Sequence, residues 1–140
     1  MEFMELNAGD IRRLKPLHVA YKREIGEAEP AETDLARLTG AIEAGRIRFF
    51  GCREGDALIG CCSVAPIFST FCYDTAGVFE DFYVVPEYRR RGVARKLVEF
   101  AVAQSGVRSL TVGCADCDAD MYKALGFSIP LGNLLAWDME

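Results

Sequence analysis

The chain has 140 residues, 51% of them hydrophobic, with 16 basic against 21 acidic side chains and a formal net charge of −5. That size supports a single domain, residues 1–140, whose core needs neither disulfides nor a metal to hold it. The acidic balance argues against nucleic acid as a partner, and no apolar run approaches the roughly 18 residues that would cross a membrane.

The start, Met1-Glu2-Phe3-Met4-Glu5, lacks the basic and apolar segments of a secretory leader, which favours a cytoplasmic location. Phe3 to Leu6 reads as a short strand, after which Asn7 can cap the next segment with Asp10 three residues on. Leu14, Leu17, His18, Tyr21 and Ile25 then recur at helical spacing on one apolar face. Pro16 falls inside that pattern and is expected to kink or divide the helix, and Gly26 to stop it. His18 shares the face with Leu17 and Tyr21, so it reads as an interior histidine rather than a catalyst. Pro30 suits the first turn of a second helix carrying Leu35, Leu38 and Ile42 and ending at Gly45.

A β-rich stretch follows. Ile47–Cys52 and Ala57–Val64 flank the hairpin turn Arg53-Glu54-Gly55-Asp56, and extended chain runs on to about Phe71. Tyr73-Asp74-Thr75-Ala76-Gly77 reads as the next turn and Val78–Val85 as the next strand, ending at Pro86. A helix from Val93 has Val93, Leu97, Phe100 or Ala101, and Gln104 on successive turns. Val107–Gly113 is another strand, Asp118 can cap a short helix with Met121, Tyr122 and Leu125 that ends at Gly126, and the apolar tail Phe127–Trp137 is a last extended segment. The order predicts an α/β (α+β) fold with a mixed, mostly antiparallel sheet and one parallel crossover.

Of the six cysteines, Cys52, Cys61, Cys62 and Cys72 sit in strand-like segments as small core hydrophobes, and no disulfide framework is expected. Cys114-Ala115-Asp116-Cys117 has the spacing of a redox or zinc half-site. It stands alone, with the single histidine far away in sequence, so no metal is assigned.

The most informative stretch is Glu80-Asp81-Phe82-Tyr83-Val84-Val85-Pro86 running into Arg89-Arg90-Arg91-Gly92-Val93-Ala94: a strand, a basic turn and a helix start. Such a start offers free N–H groups and a positive dipole end to an anion, and a pyrophosphate suits it. With one glycine and no Gly-Lys-Ser/Thr, the turn is neither a nucleoside triphosphatase loop nor a dinucleotide fingerprint.

Arg89-x-x-Gly92-x-Ala94 after that strand resembles the acetyl-coenzyme A signature of the GNAT superfamily of N-acetyltransferases. Tyr122-Lys123-Ala124-Leu125-Gly126-Phe127 is similar to its later segment. The run Phe79–Val84 is also similar to the matching strand of diamine acetyltransferases. The resemblance implies a single GNAT-like domain, its twisted sheet flanked by helices on both faces, with acetyl-CoA as cosubstrate, no metal, and a small-molecule amine as acceptor. It further implies that the phosphates meet the backbone from Arg90 to Arg95, with Arg89, Arg90, Arg91 and Arg95 adding charge, Gly92 permitting close approach, and Val93 and Ala94 opening the helix. The pantetheine arm would lie along Val84-Val85, its thioester carbonyl near the Val84 N–H. A homodimer, with the tail as one contact surface, is also implied; neither nucleic acid nor a membrane is an expected partner.

The implied reaction is attack of a neutral amine on the thioester. An alkyl amine has a pKa of roughly 10, so it must first lose a proton, and a carboxylate can take it. Glu80 is the favoured base by the diamine resemblance and Asp81 the reserve; alternation sends them to opposite faces unless a bulge intervenes. Tyr122 is the implied acid for the departing thiolate. Many members have asparagine just before this helix, where Cys114-Ala115-Asp116-Cys117-Asp118 stands here, and Asp116 would replace its cofactor contact. Glu24, Glu27, Glu29 and Glu32 crowd the link between the first two helices, as a solvated loop or as an attractant for a cationic amine. Rival readings are a peptide or protein N-acetyltransferase and a non-catalytic acyl-CoA sensor.

Overall fold

The computed structural model describes residues 1–139. Its strands are β1 (Glu2–Leu6), β2 (Arg48–Glu54), β3 (Ala57–Ser69), β4 (Asp74–Val84) and β5 (Ser109–Val112); its helices are α1 (Ile11–Glu24), α2 (Glu32–Glu43), α3 (Val93–Ser105) and α4 (Ala119–Leu125). The sheet has five strands in sequence order, antiparallel from β1 to β4, with β5 parallel to β4. A parallel neighbour requires a crossover, and α3 supplies it.

The expected cap holds: Asn7 Oδ1 accepts from Gly9 N–H (2.8 Å) while Asp10 Oδ2 accepts from Asn7 N–H (2.8 Å). Pro16 does not divide α1, which runs unbroken through it. Pro16 and Arg12 are exposed, so the carbonyl left without its i+4 donor can be satisfied by water. The helix closes where Glu27 N–H meets Lys22 O (2.9 Å) and Gly26 N–H meets Arg23 O (3.1 Å). Pro30 is not in the first turn of α2. It precedes the N-cap Ala31, whose own N–H is held by Asp34 Oδ2 (2.8 Å).

Three further expectations shift. The extended chain after Val64 belongs to β3 itself, which is 13 residues long. The turn that follows is residues 70–73, and Asp74–Gly77 is already strand. Cys72 is therefore an exposed turn residue and not a core one; all six cysteines are free thiols. Beyond α4, residues 127–139 form no strand, and Ile129, Leu131, Leu134, Leu135 and Trp137 stay exposed.

The sheet divides the core in two. On one face Leu14 and Leu17 of α1 meet Leu6, Phe49, Leu58 and Cys61, joined by Leu38 and Ile42 of α2. On the other, Leu97, Val98 and Ala101 of α3 meet Phe50, Cys62, Val64 and Phe79. Adjacent Cys61 and Cys62 thus serve opposite cores, as strand alternation demands. Gly77 of β4 is crowded by side chains of β3 and β5: a Cβ there would sit 2.6 Å from Val64 Cγ1 and 3.0 Å from Leu110 Cδ1. The glycine is needed for close packing.

Candidate active site

The site grows out of a break in β4. Tyr83 pairs with Cys61 and Glu80 with Ser63, so Asp81 and Phe82 together oppose the single residue Cys62. This is a β-bulge, and Asp81 takes the left-handed conformation (φ 54°) that such a bulge needs and that aspartate tolerates better than most side chains. The pairing of β4 with β5 runs only from Ala76–Ser109 to Phe79–Val112 and stops where the bulge begins. From Glu80 to Val84 the side of β4 away from β3 has no strand partner among the described residues. Val85 N–H turns toward β3 and bonds Ile59 O (2.9 Å), so alternation aims the Val84 N–H the opposite way, into the opened cleft.

Past Val84 the chain makes a single 3-10 turn at Pro86–Tyr88, then passes through Arg90 (φ 63°) and Gly92 (φ 79°) into α3. Left-handed residues alternating with ordinary ones turn successive N–H groups toward a common hollow. The first helical bond is Lys96 N–H to Gly92 O (3.2 Å), so Val93, Ala94 and Arg95 keep N–H groups without a helical acceptor. No side chain caps this end and no acidic residue stands in its first turn.

The arginines are not a uniform cluster. Arg89 Nε donates to Val84 O (2.7 Å), its Nη2 to Glu24 Oε2 of α1 (2.9 Å), and its guanidinium lies over Tyr83. It ties the end of β4 to α1. Arg95 donates to Ala124 O of α4, and Arg91 stacks on Tyr88. Arg90 is exposed.

Because of the bulge, Glu80 and Asp81 do not alternate; both face α1. Asp81 Oδ2 accepts from Ser63 Oγ (2.6 Å), and Oδ1 lies 3.9 Å from His18 Nδ1. Glu80 is exposed at the mouth of this pair. Its pKa is raised first by loss of solvation and then by the charge of Asp81, with Lys22 opposing.

Two phenols flank this stretch of β4, Tyr122 on its α3 side against Phe79 and Phe82, and Tyr21 on its α1 side beside the carboxylates. Tyr122 packs its ring against Phe79, Phe82 and Phe127, with centroids 5.8–6.5 Å away. Burial pushes its pKa up to about 12, with smaller contributions from Tyr21, Asp118 and Cys114. Its aromatic body belongs to the core, while its hydroxyl remains a protonated donor. Tyr21 of α1 is likewise raised to about 12, by burial and then by Asp81, Glu80 and Glu27. Tyr21, Lys22 and Ser63 were not singled out from the sequence. The available signals were a polar-tipped residue on the α1 stripe and one hydroxyl in the run Cys61-Cys62-Ser63-Val64.

The acidic link between α1 and α2 is internally neutralised: Glu24 meets Arg89, Glu27 meets Lys22, Glu29 meets Arg23 and Glu32 meets Lys15. Asp116 opens an exposed 3-10 turn before α4. Asp118 occupies the N-cap of α4 but its side chain makes no capping bond.

Comparison with known proteins gives the family of the chain. The family model described as an acetyltransferase (GNAT) domain matches residues 45–129. A search of curated proteins finds no match. Among solved structures, a probable acetyltransferase is 21% identical over 99% of both chains, with a TM-score of 0.81. A predicted acetyltransferase from Clostridium acetobutylicum, solved with acetyl-CoA, is 15% identical over 96% of this chain and 94% of that one (TM-score 0.78). An aminoglycoside acetyltransferase from an uncultured soil metagenomic sample, solved with sisomicin, is 12% identical over 99% and 95% (TM-score 0.82). At these identities the structural likeness speaks for the fold, and the family match, spanning more than half the chain, for kinship: the chain belongs to the GNAT acetyltransferases.

Proposed function

We propose that this protein transfers the acetyl group of acetyl-CoA to a primary amine of a small molecule by direct attack. The observation that carries the reading is the convergence at one bulge of an open β4 edge, an uncapped α3 N-terminus, the Glu80–Asp81 carboxylates beside Tyr21, and Tyr122 packed on Phe79 and Phe82 of the same strand. The hollow fits the cosubstrate: the free N–H groups of Val93, Ala94 and Arg95, with Arg90 and Arg91 nearby, suit a pyrophosphate, and the unpaired edge of β4 suits an amide-bearing arm added like a strand. Acetyl-CoA supplies an activated thioester; the protein supplies position and proton transfer.

Val84 N–H, aimed into the cleft, donates to the thioester oxygen as negative charge gathers there. Glu80 is the base. Its raised pKa brings it closer to the amine it must deprotonate, while Asp81, already held by Ser63, is less free to act. Glu80 takes the proton of the charged amine and releases it to solvent; the neutral nitrogen then bonds to the acyl carbon, and the second proton it sheds restores the one Tyr122 gives up. The C–S bond breaks, and the leaving thiolate takes the proton of Tyr122. That phenol, held at about 12, arrives protonated at any working pH. Arg89 acts through the backbone, fixing the Val84 carbonyl and hence the strand end, while its charge is shared with Glu24.

The likeness to the soil aminoglycoside acetyltransferase supports a small polyamine-like acceptor. So does the neutralised α1–α2 link, which leaves Glu80 and Asp81 to attract a cation. The test is an amine-panel acetylation screen, with thiol release from acetyl-CoA followed optically and products by mass spectrometry. Stimulated release and one acetylated small amine are expected. Coenzyme A binding without any amine-dependent turnover would instead make the protein an acyl-CoA sensor, and acetylation confined to peptides would replace the acceptor class.

A further inference from the structure

His18 sits on the inner face of α1, its imidazole edge-on to Phe49 (6.3 Å between centroids) and beside Tyr21 (6.4 Å). Among the described residues, His18 Nδ1 is the one buried side-chain nitrogen or oxygen without a hydrogen-bond partner. A buried polar atom left unpaired is costly, so its surroundings deserve an account. The group facing it is Asp81 Oδ1, 3.9 Å away, and the second oxygen of the same carboxylate is already held by Ser63 Oγ at 2.6 Å. Asp81 is also the residue in left-handed conformation at the centre of the bulge. An ionised carboxylate only accepts, so an imidazole that bonds it through Nδ1 must carry a proton there.

We infer that His18 is a positioning residue of the site: its Nδ1–H, with the Ser63 hydroxyl on the other oxygen, clamps the Asp81 carboxylate and so fixes the bulge that presents Glu80. The inference rests on the acetyltransfer reading and extends it to a side chain that touches neither substrate. A movement of about 1 Å brings the contact to hydrogen-bond length, a tightening expected of sites that complete their bonds only when filled. Burial lowers the His18 pKa, against the pull of Asp81, which suits a neutral donor over a charged partner. The charged and titratable groups around the pair are Lys22 and Tyr21 from α1, Glu80 from β4, and the buried thiols of Cys61 and Cys62 from β3. A neutral imidazole in this position holds Asp81 without cancelling its charge, and that charge raises Glu80.

The experiment compares wild type, His18→Leu and His18→Asn in the amine-dependent assay. Turnover of the wild type tests the acetyltransfer reading by itself; only the differences between variants test His18. Leucine keeps apolar bulk and removes the donor, whereas the asparagine amide can place an N–H near the Nδ1 position. His18→Leu is expected to lower kcat about tenfold with the acetyl-CoA KM within about twofold, and His18→Asn to recover most of that loss. Wild-type turnover in His18→Leu, or equal loss in both variants, would overturn the inference. A measurement on the wild-type protein stands apart from any folding defect: imidazole ¹⁵N NMR at neutral pH should find the Nδ1–H tautomer, and a proton resident on Nε2 alone would sink the clamp.

Discussion

The two halves of β4 make opposite use of the same strand. From Ala76 to Phe79 it is paired on both sides, with Gly77 packed against β3 and β5 and Phe79 sealed into the α3 core. From Glu80 to Val84 it is paired with β3 alone, and carboxylates, a tyrosine and an unpaired edge take the place of the packed interior. One extra residue at the bulge separates the two regimes. The first half is stable because its backbone and side chains are spent on one another; the second can receive a ligand because they are not. Substitutions in the first half should therefore cost folding, and substitutions in the second should cost turnover.

The sharpest test lies just past the bulge. Glu80→Gln keeps shape and removes the proposed base, and amine-dependent kcat is expected to fall on the order of 10³-fold at neutral pH. Just before the bulge, Phe79→Ala empties a site that is 1% exposed, and chemical denaturation should register a loss of about 3–5 kcal/mol. Turnover of the molecules that remain folded should change far less. If Glu80→Gln unfolded the protein, or Phe79→Ala acted on kcat alone, the division would be wrong.

What could be read from the sequence divides along similar lines. The basic turn was legible because its information is local: Pro86 ends a strand, Gly92 adopts a left-handed angle, and the helix pattern starts at Val93. The Asn7–Asp10 cap was legible for the same reason. The bulge was not, because it exists only in the register of Cys61–Ser63 against Glu80–Tyr83, a pairing between distant segments. Its absence from a local reading leaves the faces of Glu80 and Asp81 open and hides Ser63 and His18 as their neighbours. In sequence His18 reads as an interior residue; it is interior, yet its Nδ1 is unsatisfied, and that depends on what Asp81 does across the sheet. The turn at residues 70–73 was displaced toward Gly77 because a glycine chosen for close packing looks, in sequence, like a glycine chosen for a turn.

Smaller effects sharpen the same boundary. Tyr122→Phe keeps the ring against Phe79, Phe82 and Phe127 and removes only the hydroxyl. Turnover should drop on the order of 10²-fold with coenzyme A affinity, measured by calorimetry, nearly unchanged. Gly77→Ala places a methyl against Val64 and Leu110, and its melting curve should report a loss of about 1–3 kcal/mol without a change in KM for either substrate.

The smallest effect concerns the proposed base itself and has the less familiar sign. Burial and the neighbouring Asp81 raise the Glu80 pKa in the folded state, so over the interval above the ordinary carboxylate range the native protein holds a proton that the unfolded chain has released. Stability must then fall as pH rises through that interval, since the charged form is the one the fold disfavours. Glutamine at position 80 cannot ionise and escapes the penalty. Glu80→Gln should thus melt at or slightly above the wild-type temperature at neutral pH, with the difference vanishing at acidic pH, where the wild-type carboxyl is protonated in both states. Calorimetric melts of both proteins between acidic and neutral pH would show it. A wild type that gains stability over Glu80→Gln as pH rises would mean that Glu80 is a structural ion-pair partner, of Lys22 above all, and that the second half of β4 is built for folding after all.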